Sequence, residues 1–116
     1  MEKVNVVIAE DEAIIRLDLR ETLENAGYTV VADTGRGDEA VKLVSEHKPE
    51  VVILDVKMPG MDGIQAAREI ASTEDTAVVI LTAFSQRELI DEAVDAGALA
   101  YLVKPYQQSD LVPAIE

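Results

Sequence analysis

A chain of 116 residues, 48% hydrophobic and 28% charged, has the size and balance of one soluble domain built on one core. Its formal net charge of −13 opposes phosphate backbones, and 3% aromatic residues are too few for base-stacking platforms, so direct nucleic-acid binding by this domain is not expected. With no cysteine there is neither a disulfide framework nor a thiolate metal site; no apolar run approaches the ~20 residues that span a bilayer, no signal-peptide pattern opens the chain, and a cytoplasmic location without membrane attachment is expected.

Residues 4–9 form a short apolar run broken by Asn5, a first buried strand, which ends in Glu10-Asp11-Glu12. The next segment has helical period. Ile15, Leu19, Leu23 and Ala26 fall on one stripe, while Arg16, Arg20, Glu21 and Glu24 fall away from it, and Gly27 stops the helix. Ile14 and Leu17 are off the stripe and read as scattered exposed apolar residues. Residues 28–32 read as strand two and residues 33–38 as a polar loop, with Asp38 capping a helix that runs to about Glu46 and is closed by His47-Lys48-Pro49.

Val51-Val52-Ile53-Leu54 is an uninterrupted aliphatic strand, the mark of burial on both faces, and it runs directly into Asp55. Pro59-Gly60 suits the middle of a type II turn, and Asp62 can cap a third helix that turns Ile64, Ala67 and Ile70 inward. Residues 78–81 make a second buried strand, ending at Thr82-Ala83. Ser85 or Gln86 begins helix four, with Ile90, Ala93 and Val94 inward and Gly97 as its stop. Residues 101–103 are strand five, ending at Lys104-Pro105. Ser109 can cap a last helix, in which Pro113 is tolerable only near the first turn. Strands alternating with helices across short loops predict an α/β domain with a parallel sheet, spanning residues 1–116 as a single unit.

The strand ends carry the chemistry. Glu10 and Asp11 close strand one, Asp55 strand three, Thr82 strand four and Lys104 strand five, and in a parallel sheet all emerge at the carboxyl edge, where open α/β sheets bind ligands. Three carboxylates converging there repel one another unless a cation is bound. With no His or Cys beside them they suit a hard, oxygen-preferring ion such as Mg²⁺. A carboxylate nucleophile, a metal, the Lys104 ammonium and the Thr82 hydroxyl are the parts that an in-line phosphoryl transfer needs, with an aspartyl phosphate on Asp55 as product.

These residues resemble a response-regulator receiver domain of two-component signalling over essentially the whole chain. The motifs that carry the resemblance are Glu10-Asp11, Asp55 with Met58-Pro59-Gly60-Met61-Asp62-Gly63, Thr82-Ala83 and Lys104-Pro105. Each is weak alone; together, in order and each at a strand end, they are specific. The resemblance implies a flavodoxin-like, CheY-like three-layer sandwich with a five-stranded parallel sheet in the order 2-1-3-4-5 and five helices, the last one truncated. It implies that Glu10, Asp11, Asp55 and the Lys57 backbone carbonyl hold Mg²⁺, that Asp55 is the phosphoacceptor assisted by Lys104 and Thr82, that Thr82 and Tyr101 form the switch pair, and that the peptide before Pro105 is cis.

The resemblance further implies a sensor histidine kinase as phosphodonor, a downstream effector domain or protein as target, and homodimerisation on phosphorylation. Such a domain assists its own phosphorylation and dephosphorylation without being a turnover enzyme. Glu10 stands where many members have Asp, and the longer side chain would reach the metal through water. The runs from Ala9 to Leu19 and from Thr82 to Leu89 are similar to receivers joined to ANTAR domains, which are RNA-binding antitermination modules. That suggests an isolated receiver from such a regulator, its effector outside this chain, as against a stand-alone or differently partnered receiver.

Plainer readings compete at several positions. Glu12 reads as a first-turn acid that favours the helix dipole, and His47 as a surface cation at a helix end. Lys57 reads as solvent-facing, with only its carbonyl of interest. A haloacid-dehalogenase-type phosphatase also uses a strand-end Asp, but needs a second acid two residues later, where this chain has Lys57. The remaining alternative is a pseudo-receiver that acts as an interaction module without phosphorylation.

Overall fold

A computed structural model describes residues 4–73, 75–82 and 87–103. Among these, five strands alternate with four helices: β1 (Asn5–Ala9), α1 (Ala13–Asn25), β2 (Thr29–Thr34), α2 (Gly37–His47), β3 (Val51–Leu54), α3 (Gly63–Thr73), β4 (Ala77–Thr82), α4 (Arg87–Asp95) and β5 (Ala98–Val103). The strands form one parallel sheet in the order β2-β1-β3-β4-β5, as the family resemblance implies. The expected fifth helix, with Ser109 and Pro113, lies outside the described residues, as do Ala83, Phe84, Ser85, Gln86, Lys104 and Pro105.

Alternation along each strand splits the core into two layers. Val7, Ala9, Val52, Leu54, Val78 and Ile80 pack under α2, α3 and α4 with Ala40, Val44, Ile64, Ala67, Ile70 and Ala93. Val6, Ile8, Ile53, Val79 and Leu81 face the other way, onto Leu19 and Leu23 of α1. Two covered faces explain why β3 and β4 are aliphatic at successive positions rather than at alternate ones. The helix stripes follow. Leu19 and Leu23 are buried, Ile15 is half-buried, and Ile14 and Leu17 are exposed.

Boundaries and burial depart from the sequence pattern at several positions. Asp33 and Thr34, expected in a loop, extend β2; the Asp33 carboxylate takes an Arg20 guanidinium at 2.6 Å and the Thr34 hydroxyl accepts from the Arg36 N–H at 3.2 Å, so both polar side chains are accommodated at the strand end. Helix α2 starts at Gly37, and Asp38 lies inside its first turn rather than capping it. Its carboxylate accepts from the Glu39 N–H and pairs with Arg36 instead. Val94, expected inward, is exposed, α4 meeting the core through buried Ala93 and partly buried Leu89, and Ala26 is exposed where the chain leaves α1. Strand β5 is three residues longer at its start than the pattern suggested. The cap at Asp62 is as expected, its carboxylate accepting from the Gln65 N–H at 2.8 Å.

Candidate functional site

The pairing of β1 with β3 sets Ala9 opposite Leu54, so the next residues of each strand, Glu10 and Asp55, leave the sheet side by side. The Asp55 N–H donates to the Ala9 carbonyl at 3.0 Å and the Glu10 N–H to the Thr34 carbonyl at 2.9 Å. Both backbones are thereby fixed at the sheet edge. Glu10 is 1% exposed and Asp55 6%, while Asp11 faces solvent. Carboxylate oxygens from these three acids lie within 4.8 Å of one another. Such a cluster, with oxygen donors alone, has the composition of a site for a hard cation, and two of its three charges are removed from bulk water.

Asp55 is oriented by its own chain. Its Oδ1 accepts from the Val56 N–H at 2.7 Å. Beyond it the chain makes a loop that closes where the Gly63 N–H donates to the Val56 carbonyl at 2.7 Å, after which α3 begins. Gly60 in that loop has φ +81°, the left-handed backbone expected at the third position of a type II turn. Lys57 is exposed, as anticipated. An open cleft of about 470 Å³ adjoins the acids, lined by Asp11, Lys57, Met58, Asp62 and Leu89 among others. A second cavity, about 600 Å³, lies at the opposite edge of the sheet, lined by Lys48, Glu50, Ala71, Thr73 and Thr76 among others, away from the acids.

Thr82 is the last residue of β4 and fully buried, opposite Val103. Tyr101 pairs with Ile80 on β5 and is half-buried against the α2–α3–α4 layer. Its hydroxyl is held above the usual phenol range, first by burial and then by the negative charge of Asp55. Tyr101 and Asp55 are thus in electrostatic reach across the sheet edge. Lys104 and the bond before Pro105 lie outside the described residues, directly after β5.

The sequence pattern missed two features of this region. Arg16, assigned to the outer side of α1, donates from Nη1 to the Glu10 carbonyl at 2.7 Å. The N-terminal corner of α2 meets the Asp55 loop, with the Gly37 N–H donating to the Pro59 carbonyl at 3.2 Å. The first had a faint signal in a long cation six residues after Glu10; the second is a tertiary contact without a local one.

Comparison with known proteins matches residues 6–116 to the response regulator receiver domain. The chain belongs to the response-regulator receiver family. It is 61% identical over 111 residues to the transcriptional regulatory protein PdtaR of Mycobacterium tuberculosis, covering 96% of this receiver but 54% of that protein. The receiver thus spans about half the length of that relative. It is 38% identical over 111 residues to the chemotaxis protein CheY of Thermotoga maritima, covering 95% of this receiver and 92% of that protein. A chain in the crystal structure of the CheX–CheY–BeF3–Mg²⁺ complex from Borrelia burgdorferi superposes with a TM-score of 0.92 at 25% identity, over 97% of this receiver and 86% of that chain. This receiver is therefore a signalling domain with the CheY-like fold.

Proposed function

We propose that this receiver, as one domain over residues 1–116, accepts a phosphoryl group on Asp55 from the phosphohistidine of a sensor histidine kinase, in a Mg²⁺-dependent step. The observation that carries the reading is the convergence of Glu10, Asp11 and Asp55, with two of the three acids buried. Its support from relatives is that a similar chain forms a complex with Mg²⁺ and BeF3.

In this reading Glu10, Asp11, Asp55 and the Lys57 carbonyl hold the ion. Bound there, Mg²⁺ supplies neutralisation of the phosphoryl oxygens. An Asp55 carboxylate oxygen attacks phosphorus as the phosphorus–nitrogen bond breaks, the electron pair returns to the imidazole, and an acyl phosphate forms. The Lys104 ammonium takes a phosphoryl oxygen and the Thr82 hydroxyl donates to another. Tyr101, half-buried on β5 against the α2–α3–α4 layer, reports the change. Positioning and charge compensation are what the chain contributes, which makes it a phosphoacceptor that assists its own phosphorylation and dephosphorylation.

The output follows the relatives. A receiver this similar to a transcriptional regulator nearly twice its length acts through a downstream effector, in our reading an ANTAR module in the cytoplasm, with dimerisation on phosphorylation. Incubation with acetyl phosphate and Mg²⁺ tests the central step. Wild-type protein is expected to gain one phosphate by intact mass and Asp55→Asn none; unchanged labelling in the variant overturns the reading, and no labelling of wild type returns the pseudo-receiver.

A further inference from the structure

The loop between Asp55 and α3 is fastened to a neighbouring helix as well as to itself. Its base is closed by the Gly63–Val56 hydrogen bond, but its outer turn rests on the start of α2. Gly37 is the first residue of α2 and buried, so its N–H is one of the donors that a helix leaves without an internal partner. That donor is used by the Pro59 carbonyl at 3.2 Å. A Cβ on Gly37 would overlap the Met61 carbonyl oxygen, so the backbone approach is possible only at glycine.

On the other side of the turn, the Arg36 guanidinium meets the Asp38 carboxylate at two points, Nε to Oδ1 at 3.0 Å and Nη2 to Oδ2 at 3.1 Å. A Cβ on Gly60 would run into Asp38 Oδ1 and come within 2.7 Å of Arg36 Nη2. The ion pair therefore forms a wall over Gly60, while the Gly37 backbone forms the floor under Pro59 and Met61. Helix α2 is itself anchored by Ala40 and Val44, both completely buried.

We propose that Arg36, Gly37 and Asp38 are positioning residues for phosphorylation: they seat the Asp55 loop and so set the affinity of the acidic site for Mg²⁺. The proposal rests on the function proposed above, because the Lys57 carbonyl taken there as a metal ligand lies two residues before Pro59. Mg²⁺ demands near-ideal octahedral geometry, so a loop displaced at Pro59 and Met61 carries its carbonyl out of range. None of the three residues needs to touch the ion.

The test uses the whole chain, titrated with Mg²⁺ alone by calorimetry, and acetyl phosphate labelling followed as a function of Mg²⁺. Gly37→Ala is expected to raise the Mg²⁺ dissociation constant about tenfold, the effect typical of losing support around a metal ligand. The labelling rate at saturating Mg²⁺ is expected to stay near wild type. Asp38→Ala and Arg36→Ala, on the exposed side of the seat, should each raise it about threefold, the scale of an exposed ion pair. Leu23→Ala, in the other core layer and near the far end of α1, should lower the melting temperature and leave Mg²⁺ affinity unchanged.

Wild-type Mg²⁺ affinity in folded Gly37→Ala and Asp38→Ala overturns the proposal, and so does an equal loss in Leu23→Ala. If Gly37→Ala does not fold, Arg36→Ala and Asp38→Ala decide the question. Labelling that persists in Asp55→Asn overturns the phosphoacceptor reading instead, and leaves the Mg²⁺ titrations to judge the seat by themselves.

Discussion

The Arg16 guanidinium donates to the Glu10 carbonyl at 2.7 Å while its Nε lies 3.6 Å from Asp33, so a residue on the first turn of α1 ties the acidic end of β1 to the end of β2. A charged donor to a partly buried carbonyl contributes about 1.5–3 kcal/mol. Arg20 also holds Asp33, at 2.6 Å, but from a more exposed position where ion pairs contribute about 0–1 kcal/mol. Arg16→Ala is therefore expected to lower unfolding free energy in urea by about 0.5–3 kcal/mol more than Arg20→Ala. Equal losses would contradict the tie.

With Mg²⁺ held by the clustered acids as proposed, folding stability depends on the ion. A ligand that binds only the native state at a hundred times its dissociation constant adds about 2.7 kcal/mol. Mg²⁺ is expected to raise the melting temperature of wild type, and removal by EDTA to reverse it. Asp11→Asn relieves repulsion among the three carboxylates, so its metal-free melting temperature should equal or exceed that of wild type, with most of the Mg²⁺ response lost. Thermal melts with and without Mg²⁺ measure both effects.

Burial predicts a sharp contrast on a single helix. Leu19 is 1% exposed between α1 and the sheet, whereas Ile14 is 85% exposed. Leu19→Ala should cost about 2–5 kcal/mol through lost contacts and a residual cavity. Ile14→Ala should stay within about 0.5 kcal/mol, as surface changes do. Chemical denaturation of the two variants compares them directly.

The Asp38 carboxyl is held below its ordinary 3.8, chiefly by the hydrogen bond from Arg36. A depressed acid favours the native state above its unfolded value and loses that contribution as pH falls through the native one. The Arg36–Asp38 pair should thus persist at neutral pH and open only below about 3.8. NMR titration of the Asp38 carboxyl carbon should give a midpoint under that value in wild type and a higher one in Arg36→Ala.

Much of this was legible in the sequence where one face or one edge decides a residue's identity. The unbroken aliphatic runs of β3 and β4 announced two covered faces, and Asp55 stood out as an acid at the end of one of them. Strand order needed the family resemblance, because parallel pairing leaves no local pattern. Asp33 and Thr34 read as loop because their polarity is resolved by partners that the strand pattern does not show: for Asp33 the remote Arg16 and Arg20, for Thr34 the Arg36 N–H two residues on. Periodicity assigned Arg16 to the outer face of α1 correctly by Cα position, yet its long side chain reaches back to Glu10. The Gly37 approach to the Asp55 loop was invisible for a related reason: a missing side chain signals space, but not what fills it.

Asp55, among three neighbouring acids, is the residue proposed to take the phosphoryl group. After reaction with acetyl phosphate and Mg²⁺, borohydride reduction converts an aspartyl phosphate to homoserine, and peptide mass mapping locates it. Conversion is expected at Asp55, with Glu10 and Asp11 intact. Conversion at Asp11, or phosphorylation with Asp55 unmodified, would contradict it.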